Sequence, residues 1–96
     1  GAHQSINTPL IGMAQDGLSY FEPAYADELA VIMRHGFEHM QAEDGGSIYL
    51  RLSTRSIEQL PREISPVLQD EIVQGGYWLR PPHANTAVAI AYCGAL

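Results

Sequence analysis

Two short runs of strand-forming residues flank one long amphipathic pattern, and that order constrains the chain more than any other feature. LSYF at 18–21 reads as a strand rich in aromatics. SIYLRLS at 47–53 is a near-continuous apolar run with β-branched and aromatic members, which predicts a strand covered on both faces, as in a parallel sheet. Between them, EPAYADELAVIMRHGFEHMQ places Tyr25, Leu29, Ile32, Met33, Phe37 and Met40 on one helical face. Arg34, Glu38 and Gln41 fall on the other side. Pro23 suits a first helical position, and Asp27 and Glu28 lie early, where the helix dipole favours anions. Gly36, on the apolar face, predicts a close approach to a neighbouring backbone. Strand, helix and parallel strand together predict an α/β fold: a partial parallel sheet with flanking helices.

The remaining segments are shorter. Residues 1–14 stay open: Ser5, Asn7 and Thr8 each suit a helix cap, Pro9 suits a first turn, and Leu10, Ile11 and Met13 form an apolar patch. Asp16-Gly17 is a strong turn. STRSIEQLPREISP reads as a loop, and SPVLQDEIVQGG as a short helix opened by Pro66 and stopped by Gly75-Gly76. YWLRPP predicts a short strand ended by its two prolines, and TAVAIAYCGA a last strand. In that last strand Ala87, Ala89, Ala91 and Cys93 alternate with Val88, Ile90 and Tyr92, so one face is made of small residues. A parallel strand normally leads into a crossover helix. None follows this one, which predicts a chain that stops in mid-unit.

Composition excludes several functions. With 96 residues the chain is one small domain or a piece of a larger one, and an apolar content of 46% argues against disorder. A net charge of −6 repels phosphate backbones, so no nucleic-acid partner is expected. The basic residues are five arginines with no lysine, which removes Schiff-base and Walker-type phosphate chemistry. Cys93 is the single cysteine, so no internal disulfide forms, as expected in a reducing compartment. The longest apolar run is too short for a membrane span, and no signal peptide is read. A soluble, cytoplasmic protein with no membrane partner is the expectation.

Four places carry possible chemistry. His3-Gln4 is either a frayed polar end or an imidazole able to donate to an oxyanion or move a proton near neutral pH. His35 and His39 are four apart with Glu38 between them, but lack a third ligand, and read as boundary residues with no metal bound. Arg55 follows the second strand, where α/β sheets bind ligands, and can grip a carboxylate or phosphate or pair with Glu58. Cys93 reads as a small buried hydrophobe with no basic sequence neighbour to activate it, and Tyr77 and Trp78 read as packing residues.

The order of these segments resembles the pyrimidine-binding domain of the thiamine-diphosphate enzymes of the transketolase superfamily. The matching stretches are Gly1-Ala2-His3-Gln4, Glu22-Pro23-Ala24 and Leu52-Ser53-Thr54-Arg55, with Thr54 as an inserted residue. A closer likeness is to the homodimeric pyruvate dehydrogenase component. It rests on the Tyr20–Tyr25 junction, on ELAVIM at Glu28–Met33, and on the I-x-x-G-x-Y-x-L-R pattern from Ile72 to Arg80. The resemblance covers essentially the whole chain. It implies that residues 1–75 are part of the pyrimidine domain, and that 76–96 are the linker and first strand of the C-terminal domain.

The resemblance further implies a role at the thiamine adduct for His3, and substrate contacts for Gln4 and Arg55. It implies a dimer, and a lipoyl acyltransferase as the partner that takes the acyl group. Thiamine diphosphate and magnesium belong to the full-length enzyme. The G-D-G…N motif and the activating glutamate are not in this sequence, so the expectation is a fragment, inactive alone, with no cofactor bound. Two alternatives stand beside it: a transketolase or deoxyxylulose-phosphate synthase relative, and a non-catalytic oligomerisation module.

Overall fold

Strand formation starts at the Asp16-Gly17 turn, where Gly17 has a φ of 72°, a conformation that glycine adopts without strain. In the computed structural model, which describes residues 7–95, the elements are α1 (Thr8–Met13), β1 (Leu18–Phe21), α2 (Ala26–Gln41), β2 (Ser47–Leu50) and α3 (Pro66–Gln74). β1 and β2 pair in parallel, with Tyr20 opposite Tyr49 and Phe21 opposite Leu50. Backbone bonds from Ser47 to Gly17 (2.8 Å) and from Arg51 to Phe21 (3.0 Å) extend the ladder at its two ends. The chain is therefore α/β, with a two-stranded parallel sheet and three helices among the described residues.

Alternation along the strands decides which helix covers which face. Tyr20 and Tyr49 stack with centroids 5.4 Å apart, and a Cβ on Gly12 of α1 would lie 3.2 Å from the Tyr49 ring. The opposite face carries Ile48 and Phe21. A Cβ on Gly36 of α2 would meet Ile48 Cγ1 at 3.3 Å, and Phe21 meets His35 edge-on. The close approach expected at Gly36 is thus made to an isoleucine side chain. α3 packs on α2 and buries Ile72. Its boundaries follow the sequence signals: the Ser65 hydroxyl accepts from the Leu68 amide at 3.1 Å, Pro66 is the first helical residue, and Gly75 ends the helix with a φ of 96°.

Four expectations are corrected. α2 begins at Ala26 with Tyr25 as its N-cap, so Pro23 lies outside it, in the connecting turn. The Glu28 carboxylate accepts from the Ala24 and Tyr25 amides and holds that turn out of the helix. Apart from these corrections, the apolar face of α2 is partly covered: Ile32 and Gly36 are buried, while Met33, Phe37 and Met40 are 41%, 54% and 48% exposed. Two strands are too narrow to cover the whole apolar arc. The stretches at 77–82 and 86–95 are irregular rather than strands. Val88 and Ile90 stand in the open, and the backbone bond that ties this segment to the sheet end runs from Gly94 to the Glu22 carbonyl at 3.0 Å. A strand with no ladder partner has nothing to satisfy its amides but water. For the same reason Cys93 is exposed, not buried on a sheet face. Lastly, β2 ends at Leu50, three residues early, and no residue of either strand is fully buried.

Candidate functional site

The carboxyl ends of the two parallel strands point the same way, so the turns that follow them come together. β1 leads into Glu22-Pro23-Ala24-Tyr25 and β2 into Arg51-Leu52-Ser53-Thr54-Arg55. Two adjoining hollows open there, with volumes of about 290 and 210 Å³. Ala24, Tyr25, Ile57 and Ala95 line both. Tyr92, Gly94 and Glu58 are among the further residues of the larger, and Ser53 and Arg55 among those of the smaller. This is where ligands bind in open α/β sheets, at the carboxyl edge.

The carboxylates of Glu22, Asp27 and Glu28 are tied down. Glu22 takes a bond from Arg51 Nη1 at 2.7 Å on one oxygen and a short bond from the Tyr20 hydroxyl on the other. Burial alone would raise its pKa, but the two donors outweigh it and hold the carboxyl below its ordinary value. Partial burial, then the bond to Glu22, pushes the Tyr20 phenol up to about 12.

Arg62 makes the second cluster. Its Nε reaches Asp27 Oδ2 at 2.7 Å and its Nη2 reaches Asp27 Oδ1 at 3.0 Å, a two-pronged grip. Nη2 also donates to Glu28 Oε1 at 3.2 Å, and Nη1 to the Tyr77 hydroxyl at 2.8 Å. The guanidinium lies over the rings of Tyr25 and Tyr77, 5.2 and 5.1 Å from their centroids. Tyr77 in turn donates a short bond to Glu28 Oε1. The Arg62 bonds hold the Asp27 carboxyl below its ordinary value against the effect of burial. Burial first, then the bond to Glu28, pushes the Tyr77 phenol up to about 12. Gln59 Oε1 accepts from the Ala26 amide at 2.8 Å, so side chains of the chain itself occupy this part of the α2 N-terminus.

Glu22, Asp27 and Glu28 are each committed to an arginine, and the phenols of Tyr20 and Tyr77 are held neutral. Arg55 is exposed on the smaller hollow, and its guanidinium enters no ion pair among the described residues. His3 and Gln4 lie outside the described residues. His35 and His39 stack 5.8 Å apart, and His39 Nε2 accepts from the Gly46 amide at 3.0 Å. Among the described residues no three His, Cys, Asp or Glu side chains stand together as a metal site. Every oxygen of Glu22, Asp27 and Glu28 already accepts a bond from the chain.

Sequence reasoning placed Asp27 and Glu28 only as dipole partners, took Tyr77 for packing, and did not single out Arg62. The one available signal was the glutamate three residues past Tyr25, the spacing at which a side chain reaches back to the helix start. Comparison of the chain with family models, curated proteins and solved structures returns no match.

Proposed function

We propose that the chain is part of a thiamine-diphosphate-dependent pyruvate dehydrogenase component, from the second half of the pyrimidine-binding domain into the next domain. The complete enzyme decarboxylates pyruvate or a related 2-oxo acid and passes the acyl group to a lipoyl acyltransferase partner. The observation that supports this reading is that residues from two stretches that carry the resemblance, Pro23, Ala24 and Tyr25 from one and Leu52, Ser53 and Arg55 from the other, line adjoining hollows beyond the carboxyl ends of parallel strands. His3 serves the adduct, Gln4 and Arg55 the substrate. The resemblance places the diphosphate and its magnesium on the family's G-D-G…N motif, which this sequence does not contain.

The test is direct. The protein that carries this segment, supplied with thiamine diphosphate and magnesium, is assayed for pyruvate-dependent reduction of an artificial electron acceptor. Turnover is expected, with a loss of about 10²-fold or more in His3→Ala. Absence of pyruvate turnover in the unmodified protein sinks the reading. The isolated 96-residue chain is expected to be inactive.

The exposure of Arg55 beside Ser53, with no acid paired to it among the described residues, favours a second reading. In a transketolase or deoxyxylulose-phosphate synthase relative, this guanidinium grips a sugar phosphate. Arg55→Ala then weakens use of sugar phosphates and spares pyruvate. A third role, self-association, is supported by the uncovered apolar side of α2.

A further inference from the structure

Arg62 connects three parts of the chain that are distant in sequence: the start of α2, the long connection that carries Arg62 itself, and Tyr77 beyond α3. The link runs through one carboxylate. Glu28 is 7% exposed, and its two oxygens serve opposite sides. Oε1 accepts from Arg62 and Tyr77, while Oε2 accepts from the Ala24 amide at 2.8 Å and the Tyr25 amide at 3.2 Å. Ala24 and Tyr25 are part of the wall common to both hollows. A carboxylate is planar and rigid, so any tilt caused at Oε1 is carried to Oε2 and to the turn it holds. The side chains of Arg62 and Glu28 are 17% and 9% exposed, so water replaces lost partners poorly.

We propose that Arg62 and Tyr77 are positioning residues for the cavity: they orient Glu28, and Glu28 sets the Ala24-Tyr25 turn, so that the segment after α3 and the shape of the cavity are coupled. The coupling concerns the chain's own geometry and is independent of the cofactor and substrate. Tyr77→Phe is the selective probe. It removes the phenol bonds to Glu28 and Arg62 but leaves the two-pronged Arg62–Asp27 grip in place.

Amide hydrogen exchange of the full chain, read residue by residue by NMR, tests the proposal without any ligand. In Tyr77→Phe the Ala24 and Tyr25 amides are expected to exchange about tenfold faster, while Ile32 and Met33 in the middle of α2 change less than about twofold. Arg62→Gln is expected to accelerate the same two amides further; should that variant fail to fold, Tyr77→Phe decides alone. Unchanged exchange at Ala24 and Tyr25 overturns the proposal. So does equal acceleration along α2, because that is the signature of general loosening. Pyruvate turnover enters neither outcome, so failure here and failure of the thiamine reading are distinguishable.

Discussion

Arg62 neutralises two neighbouring carboxylates, and removing it leaves Glu28 buried and Asp27 half-buried without their shared cation. Arg62→Ala is expected to destabilise the chain by about 2–3 kcal/mol, between the limits for exposed and buried pairs, measurable by urea unfolding. The direction of the acid response also follows. Asp27 has a folded pKa below its ordinary 3.8, so its contribution is fully present above that value. It is lost as pH falls through the lower, folded value. Glu22 acts with the same sign. Stability therefore declines in acid, and Asp27→Asn, less stable at neutral pH, flattens that decline. At the alkaline end the sign reverses. The Tyr20 and Tyr77 phenols, held neutral, contribute stability below their ordinary 10.0, and it disappears as pH rises through about 12. An ultraviolet titration is expected to show these two tyrosines ionising late. Gly46 is a steric requirement of another kind: a Cβ there would sit 2.2 Å from the Gly17 carbonyl oxygen. Gly46→Ala is expected to cost at least about 2 kcal/mol, since the obstacle is backbone and cannot rotate away.

Among the elements, α2 shows how a helix face is shared between packing and exposure. Gly36→Ala adds a methyl 3.3 Å from Ile48, but recovers up to about 1 kcal/mol of helix propensity, so it is expected to be near neutral. Gly36→Val recovers less and forces α2 away from β2, with an expected loss of about 1–3 kcal/mol in thermal or urea unfolding. Much of this level was legible in the sequence. The bounds of β1, the existence of α2 and the proline and glycine of α3 all rest on local signals; the local signal that misled was Pro23, which the Glu28 carboxylate keeps in the turn before α2. The other failures are non-local. Whether TAVAIAYCGA becomes a strand depends on a partner with free amides and carbonyls beside it, which no property of those ten residues specifies. The site divides the same way. Arg55 at the end of a parallel strand was readable from the rule for open sheets, whereas Arg62 was not. Its partners lie 35 and 15 residues away, and only the folded path of the 51–65 connection brings them together.

The molecule as a whole exposes 7728 Å², against ~5,400 Å² for a compact monomer of its mass. Its radius of gyration is 14.9 Å where ~12.5 Å is typical of that length. Only Ile32 and Ile72 are buried apolar residues among those described. A two-stranded sheet rarely supports itself, so the chain is expected to associate through the Met33–Phe37–Met40 side of α2. In gel filtration it should elute ahead of a monomer, and Phe37→Asp should return it toward the monomer position; a monomer before any substitution contradicts this. No described helix is long and apolar enough to cross a membrane. The exposed Cys93 lies between Tyr92 and Gly94, both of which line the larger hollow. Because no other sulfhydryl competes, a maleimide dye attaches at one defined place on the rim. The unmodified chain therefore already carries its own reporter, whose emission would register anything that enters beside it.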